Sequence, residues 1–94
     1  MIKSFADEET ENIFYGFFSK MFPTSIQKRA LRKLMMVDAA NNINDLRSPP
    51  SNHLEKLSGK LEGYYSIRIN KKYRIIFKWE QKDIFINVGI VDYH

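Results

Sequence analysis

The sequence lacks cysteine and long apolar segments, and both absences limit what the chain can be. Its 94 residues include no cysteine, three prolines and four glycines. Without cysteine, a disulfide framework, a thiol nucleophile and cysteine-ligated metal centres are excluded. No stretch approaches the roughly 18 apolar residues of a membrane-spanning helix, and the first residues lack the apolar segment of a signal peptide. We therefore expect a cytoplasmic protein that does not enter a membrane.

Histidine is also scarce, which bears on metal binding. The two histidines, His53 and His94, stand far apart in the chain, and neither lies in the ligand spacing of a known metal site. The glycine-rich phosphate loops of nucleotide-dependent enzymes are absent as well. The sequence therefore predicts neither a bound metal nor an organic cofactor.

The composition and the charge distribution are those of one small basic domain. Hydrophobic residues make up 44% of the chain, as is typical of folded proteins, and the length predicts a single domain over residues 1–94. Residues 1–24 carry two basic and four acidic residues, whereas residues 25–94 carry 13 basic and seven acidic residues. An excess of positive charge of this kind favours a polyanionic partner, and nucleic acid is the commonest one in a cytoplasm.

The first half of the chain has helical periodicity. Asp7 is a suitable N-cap for a first helix that ends at Pro23, and Thr24 or Ser25 can cap a second one. The first helix has a predicted buried stripe of Ile13, Phe14, Phe17 and Phe18. The second has a predicted inward stripe of Ile26, Ala30, Leu31, Leu34 and Met35 and a basic outer face of Lys28, Arg29, Arg32 and Lys33. Consecutive prolines at positions 49 and 50 exclude further helix there, so a loop is expected as far as Gly63.

After Gly63 the pattern alternates with the period of a β-strand. Three strands are predicted over residues 65–69, 73–79 and 84–91, separated by polar turns. With an extended segment at residues 3–5, the predicted fold is a single α+β domain: a short N-terminal strand, then two helices on an antiparallel sheet that a C-terminal three-stranded meander completes. The helices are expected to cover the face of Tyr65, Ile67, Ile75, Phe77 and Trp79. The opposite face, expected to be at least partly solvated, carries Ser66, Arg68, Arg74 and Lys78.

Several segments together resemble one protein family. The segment NVGIVDYH at residues 87–94 is similar to the Asp-Tyr-His end of HigB-type toxins in the RelE/ParE superfamily. The segments MIKSF at 1–5, DLRSPP at 45–50, LEKLSG at 54–59, YSIRIN at 65–70 and YRI at 73–75 resemble the same family in order and spacing. The resemblance spans nearly the whole chain.

The resemblance implies a RelE-like fold and a specific activity. HigB-type proteins are toxins of type II toxin–antitoxin systems that act as metal-independent endoribonucleases on mRNA in the A site of the small ribosomal subunit, which inhibits translation. The implied partners are therefore mRNA, the ribosome and a helix-turn-helix antitoxin of the HigA type, with operator DNA contacted only through that antitoxin. In the family's reaction the RNA 2′-OH attacks the adjacent phosphate.

Five residues are the expected catalytic set. His94 is the best candidate for proton transfer, because imidazole exchanges a proton near neutral pH. Asp92 can orient His94 or bind substrate, and Tyr93 can stack on a base or only pack at the strand end. Arg74 can stabilise the negative charge of the reacting phosphate. Glu55 is an alternative acid or base.

A second set is expected to bind RNA through phosphate contacts, which supply affinity without sequence preference. Its members are Arg68, Lys56, Lys60, His53, Lys28 and Arg32. The alternative for each is a solvated charge on a strand, loop or helix.

The loop departs from the family pattern and leaves two other functions open. Well-known HigB members have a catalytic histidine where Glu55 stands and a lysine where Ser58 stands; His53 is a possible substitute through a loop shift. A ParE-like poison of DNA gyrase has the same fold, but the Asp-Tyr-His end disfavours it. A catalytically weak protein that binds only its antitoxin is favoured by the two departures.

Overall fold

The computed structural model describes residues 1–92, which form two α-helices and one four-stranded antiparallel sheet. The helices are α1 (Glu8–Phe14) and α2 (Thr24–Ala39). The strands, which neighbour one another in chain order, are β1 (Glu55–Lys56), β2 (Tyr65–Arg68), β3 (Tyr73–Gln81) and β4 (Ile84–Asp92). Short 3-10 turns occur at Ile43–Arg47, Pro50–Asn52 and Gly59–Leu61. The predicted α+β architecture and its C-terminal meander are confirmed.

Helix α1 begins where the sequence predicts and ends earlier. The Asp7 carboxylate accepts a hydrogen bond from the Thr10 backbone N–H at 2.7 Å, which confirms the N-cap. The helix stops at Phe14 because Gly16 adopts φ +87°, a left-handed conformation that ends helices. Phe17 and Phe18 lie beyond this break and are 66% and 63% exposed, so the prediction that they join a buried stripe is wrong.

Helix α2 has Pro23 at its N-cap position and no side-chain cap, so the prediction that Thr24 or Ser25 caps it is wrong. The helix packs on the sheet with a stripe slightly different from the predicted one. Ile26, Ala30 and Leu34 are buried as expected, but Met35 is 55% exposed, so its predicted inward position is wrong. The stripe instead continues through Lys33 and Val37, which are spaced by seven and eleven residues from Ile26. The expectation that Lys33 lies on a solvated helix face is therefore also wrong.

The predicted loop before Gly63 contains a strand. Strand β1 pairs antiparallel with β2, and Glu55 lies opposite Ser66. Two residues are too few to produce a readable alternation, so the sequence pattern carried no signal for this strand. The consequence is a sheet one strand wider than the meander, with Glu55 placed on it.

The N-terminal segment is extended and pairs with β4, but it is not one of the four strands. Parallel bridges join Ile2 to Phe85 and Phe5 to Val88. The Asn87 backbone N–H also donates to the Ser4 hydroxyl oxygen at 2.9 Å. The predicted N-terminal strand is thus present as an edge segment that runs parallel to β4.

The two faces of the sheet are both largely covered. On the helix side, Ile67, Ile75, Phe77 and Phe85 are completely buried, as predicted for the first three. On the other side, Ser66 is also completely buried and Arg74 is only 4% exposed, so the predicted solvation of this face is wrong for these two residues. The reason is β1 and the loop before it, which contact Arg74. Arg68 and Lys78 remain partly exposed.

Candidate functional site

Arg74 is the centre of a buried polar cluster at the junction of β1, β2 and β3. Its Nε donates to the Ser66 hydroxyl oxygen at 2.8 Å, and its Nη2 donates to the His53 carbonyl oxygen at 2.6 Å. Its Nη1 lies 3.5 Å from Oε1 of Glu55. The Arg74 side chain is 5% exposed, whereas that of Glu55 is 50% exposed. The guanidinium therefore fixes the loop to the sheet while the Glu55 carboxylate faces solvent beside it.

Asp92 lies at the end of β4 on the strand next to Arg74. In the β3–β4 register it pairs with Tyr73, and Val91 pairs with Arg74. Its carboxylate Oδ2 is 3.6 Å from Nζ of Lys72. The predicted catalytic residues Tyr93 and His94 follow directly but lie outside the described residues.

A pocket of about 550 Å³ opens at the same end of the sheet, between α2, the loop before β1 and the β2–β3 turn. Its cationic lining residues are Arg29, Arg32, Lys33, Arg68 and Lys71. The remaining lining residues are Met36, Pro49, Ser51, His53, Ile69 and Asn70. No carboxylate of residues 1–92 lines this basic pocket. The lining of the pocket therefore carries a clear excess of positive charge.

Lys33 is the buried member of the basic pocket. Its ammonium donates a hydrogen bond to Oδ1 of the completely buried Asn52. Asn52 in turn donates to the carbonyl oxygens of Leu46 at 3.1 Å and Ser48 at 3.3 Å. Burial lowers the pKa of Lys33 below its ordinary value of 10.5, and the neighbouring positive charges of Arg29 and Arg32 lower it further.

The basic pocket and the Arg74 cluster adjoin each other. Arg68, on the pocket wall, is the cross-strand partner of Arg74, and such partners have Cα atoms roughly 4.5–5.5 Å apart. His53 belongs to both, since its carbonyl oxygen accepts from Arg74 and the residue also lines the pocket. One elongated ligand can therefore contact both regions.

The residues predicted to bind RNA lie on several different surfaces of the structure. Arg32, Arg68 and His53 line the basic pocket, whereas Lys56 on β1 and Lys60 in a 3-10 turn are exposed elsewhere. Lys28 lines a different depression. Arg29 and Lys33, from the same basic helix face, and Lys71 from the turn complete the pocket. The spacing of residues 29, 32 and 33 by three and four positions is the signal that places them together on one helix side.

That second depression, of about 290 Å³, is apolar. Phe17 and Phe18 line it, with Ile13, Gly16, Gln27, Lys28 and Leu31. Gln27 holds the exposed segment in place: its Nε2 donates to the Phe22 carbonyl oxygen at 2.9 Å, and its Oε1 accepts from the Ser19 N–H at 3.0 Å. The aromatic side chains are therefore presented on an ordered backbone. We call the exposed residues Tyr15, Phe17, Phe18 and Met21 the aromatic patch.

The described part of the chain lacks both a metal-ligand cluster and a membrane-spanning helix. Residues 1–92 contain no group of three histidine, aspartate or glutamate side chains close enough to hold a metal ion. No helix among them has the length and apolar character needed to cross a membrane.

Sequence comparison gives the family. The model of the family described as RelE-like toxin of type II toxin–antitoxin system HigB matches residues 3–94. The chain belongs to this family. The resemblance noted from sequence segments is thereby confirmed, and the HigB-like chain is a type II toxin of the RelE kind.

Individual relatives agree with the family. Endoribonuclease HigB of Proteus vulgaris is 31% identical over 94 residues, all of both chains. Toxin HigB-1 of Vibrio cholerae is 50% identical over 60 residues, which cover 64% of this chain and 63% of that toxin. An uncharacterized protein of Haemophilus influenzae is 50% identical over 70 residues, which cover 74% of this chain and 69% of that protein.

Solved structures agree with the fold. A chain of the YoeB–YefM complex from Staphylococcus aureus superposes with a TM-score of 0.61 at 23% identity, over 100% of this chain and 95% of that one. A heterotetrameric YoeB–YefM toxin–antitoxin complex from the same organism gives 0.60 over the same shares. The HigB-like chain therefore has the fold of these proteins.

Proposed function

We propose that this HigB-like toxin cleaves mRNA in the ribosomal A site by metal-independent transesterification. The observation that carries the proposal is the continuity of the basic pocket with the Arg74–Glu55 cluster, at the sheet end where β4 reaches Asp92. A cationic pocket beside a carboxylate and an arginine suits a substrate with several phosphates. The full-length relative named as an endoribonuclease supports the same activity.

The reaction itself needs only proton transfer and charge stabilisation. The 2′-oxygen attacks the adjacent phosphorus while a base removes its proton, and the bond from phosphorus to the 5′-oxygen breaks. An acid protonates the departing 5′-oxygen. The products are a 2′,3′-cyclic phosphate and a 5′-hydroxyl, so atoms and charge balance without another reactant. Positioned side chains typically accelerate such proton transfers by about 10²- to 10⁴-fold.

Each chemical role has a candidate in this chain. We assign proton transfer to His94, with Glu55 as the second acid–base group because its carboxylate is half exposed beside Arg74. Arg74 supplies positive charge to the reacting phosphate and holds the loop that carries Glu55. Asp92 orients His94, and Tyr93 stacks on a base.

The remaining cations bind the RNA around the reacting bond. Arg68 and Arg32 contact phosphates from the pocket, with His53 at its rim. Lys56, Lys60 and Lys28 lie on other surfaces, where long-range attraction to ribosomal RNA is their expected contribution.

Cleavage of a defined mRNA in a purified translation system tests the proposal. We expect wild-type protein to cleave the mRNA only when ribosomes are present, and EDTA should not change the cleavage rate. In His94→Ala the cleavage rate should fall by at least about 100-fold, as for removal of a general acid–base group. Arg74→Ala should also be inactive, and Lys20→Ala, at an exposed position outside the proposed site, should retain near wild-type activity as the matched control. The products should carry 2′,3′-cyclic phosphate and 5′-hydroxyl ends.

Other results would point to other functions. Intact mRNA together with gyrase-dependent DNA breaks would overturn the proposal in favour of a ParE-like activity. Intact mRNA and intact DNA, with tight binding to a co-expressed antitoxin, would show a catalytically weak protein, as the Glu55 and Ser58 departures favour.

We further propose that the partner is a helix-turn-helix antitoxin of the HigA type and that it covers the aromatic patch. Membership in a toxin–antitoxin family supports such a partner. Four large apolar side chains that are each more than 60% exposed form an unusual surface for a monomer, and such surfaces mark protein interfaces. The patch carries Lys28 at its edge, so an acidic, amphipathic antitoxin segment fits it best.

A further inference from the structure

The basic pocket brings together positive charges that the described protein does not neutralise. Five cationic side chains line it, and neither ion pair found within residues 1–92, Lys72–Asp92 or Arg74–Glu55, involves any of them. Like charges that line one pocket repel one another. An anionic ligand removes that repulsion, because each of its oxygens accepts charge-assisted hydrogen bonds.

The position of Lys33 shows that the floor of this pocket is built into the fold. Its side chain is only 8% exposed, and its ammonium is held by Asn52, which the Leu46 and Ser48 carbonyl oxygens fix in turn. A lysine that merely covers a helix surface would keep its charge in water. Here Asn52 holds the charge in the same pocket that Arg29 and Arg32 line, at a place that a ligand in the pocket can approach.

The pocket differs from the site of the reacting phosphate. The Arg74 guanidinium is already engaged by Ser66, His53 and Glu55. Arg32 and Lys71, by contrast, are exposed at the pocket mouth and Arg68 is partly exposed. Because Arg68 and Arg74 are cross-strand partners, a ligand in the pocket lies next to the cluster without replacing its contacts.

We infer that the pocket between α2 and the β2–β3 turn binds an RNA phosphate other than the one that reacts. The identification of the ligand as RNA rests on the proposed function, whereas the binding of a phosphate group does not. The phosphate contacts Arg32, Arg68 and Lys71 at the mouth, and Lys33 supplies positive charge from the floor. Binding there positions the neighbouring phosphodiester at the Arg74–Glu55 cluster.

Inorganic phosphate is the first probe. Thermal unfolding of the full chain is followed with increasing phosphate at constant ionic strength, with sodium chloride as the balancing salt. A ligand that binds only the folded state raises Tm with concentration, so wild-type protein should gain more from phosphate than from chloride. The affinity for phosphate should fall about tenfold in Arg32→Gln and in Arg68→Gln, as expected for removal of one charge-assisted hydrogen bond.

The matched controls are Lys3→Gln and Lys20→Gln, at exposed positions that line neither pocket and that belong to no proposed RNA contact. Each removes one positive charge outside the pocket and should leave phosphate affinity within about twofold of wild type, since exposed charges at a distance are screened. Circular dichroism checks that every variant is folded. Equal Tm gains from phosphate and chloride, or equal decreases in affinity for pocket and control variants, would overturn the inference.

A second binding experiment uses RNA and distinguishes the two possible sources of the phosphate, mRNA and ribosomal RNA. The probes are a short single-stranded oligonucleotide with 2′-O-methyl sugars, which cannot react, and isolated small ribosomal subunits. Weaker oligonucleotide binding in Arg32→Gln identifies mRNA; weaker binding only to the subunit identifies ribosomal RNA. For the oligonucleotide, the slope of log affinity against log salt should fall by about 0.7 for each phosphate that the variant no longer neutralises.

Both RNA outcomes support the inference, and unchanged binding to both probes would contradict it. Failure of the proposed function is seen separately, because neither probe requires cleavage. A protein that binds phosphate through Arg32 and Arg68 but never cuts mRNA would refute the ribonuclease activity and retain the pocket.

Discussion

Arg74 combines a charge, two hydrogen bonds, an ion pair and burial in one side chain. Its guanidinium joins β3 to Ser66 on β2 and to the loop at His53 and Glu55. A lysine can supply the charge but not the fixed planar set of donors. The position therefore serves to hold the loop as well as to supply positive charge for the proposed reaction.

Arg74→Ala is expected to lower the free energy of unfolding by about 2–3 kcal/mol, because hydrogen bonds to charged groups contribute this much and Ser66 is left unpaired while completely buried. Arg74→Lys should cause part of that decrease. Urea denaturation measures the effect. The control is Lys78→Ala on the same sheet face, where the ammonium lies 5.2 Å from the Tyr64 ring centre and a decrease below about 1 kcal/mol is expected. Equal decreases in Arg74→Ala and Lys78→Ala would contradict the structural role.

The lowered pKa of Lys33 predicts that the free energy of unfolding depends on pH. Its folded-state pKa lies below the ordinary value of 10.5, so between the two values the unfolded chain binds more protons than the folded one. The contribution of Lys33 to folding stability should therefore become more favourable as pH rises through this window. The charges that act on Lys33 come from Arg29 and Arg32 on its own helix, and Arg68, Lys71 and the titratable side chain of His53 line the same pocket.

Urea denaturation at a series of pH values checks this prediction. The free energy of unfolding of wild type should rise relative to that of Lys33→Met as pH approaches 10.5. The reference is the same difference between wild type and Lys28→Met, because Lys28 is an exposed position on the same helix. A difference between wild type and Lys33→Met that stays constant with pH would refute the linkage. Saturating phosphate should flatten the dependence, because a bound anion favours the charged lysine.

The sequence patterns predict the environment of Arg74 and Lys33 only in part. The clear alternation over β3 predicts the strand and the face of Arg74. It does not predict the burial of Arg74, because the covering residues come from β1 and the loop before it. Lys33 carried no sign of burial, since its partner Asn52 is 19 positions away in a turn that has no periodicity. The roles of Tyr93 and His94 stay predictions.

At the scale of elements, the break after α1 creates the aromatic patch. Helix α1 ends at Phe14, and Gly16 at φ +87° redirects the chain so that Phe17 and Phe18 point outward. The periodicity of the sequence indicated burial, because the spacing of these aromatics fits a continuing helix. The backbone conformation of Gly16 instead exposes Phe17 and Phe18, and the spacing of apolar residues does not predict that conformation.

Substitution in the patch should weaken antitoxin binding. Phe17→Ser and Phe18→Ser are each expected to lower affinity for the HigA-type antitoxin by at least about tenfold, since buried aromatics dominate protein interfaces. Calorimetric titration of antitoxin into each variant measures this. Met35→Ser is the matched control, because Met35 is also exposed, at 55%, but lies on α2 and lines neither pocket.

The same variants distinguish other occupants of the patch. Their stability should stay within about 0.5 kcal/mol of wild type, as for most surface substitutions, so weaker binding would not reflect unfolding. Unchanged antitoxin affinity would show that the antitoxin does not bind the aromatic patch. Self-association of wild-type protein that disappears in Phe17→Ser would instead assign the patch to a second copy of the chain.

At the scale of the whole molecule, the two ends of the described chain are packed together. The segment before α1 runs parallel to β4, and the Ile90 backbone N–H donates to the Thr10 hydroxyl oxygen at 3.0 Å. Sequence patterns predicted both segments as extended but not their pairing, since their contacts span about 80 positions of sequence and no local signal carries such a distance. The pairing matters because Asp92, at the end of β4, belongs to the proposed catalytic set.

Substitution of Gly89 tests whether the N-terminal segment packs against β4. A Cβ at position 89 would lie 3.1 Å from the Ala6 Cβ and 3.3 Å from Oδ2 of Asp7, whose other carboxylate oxygen caps α1. Gly89→Ala should therefore displace the N-terminal segment and lower the free energy of unfolding by about 1–3 kcal/mol, the usual cost of overpacking. Ala6→Gly removes the nearer obstacle, so the double variant Ala6→Gly/Gly89→Ala should be more stable than the sum of the two single effects predicts. Urea denaturation of the four proteins gives this coupling directly, and strictly additive effects would show that the N-terminal segment does not pack against β4 at Gly89.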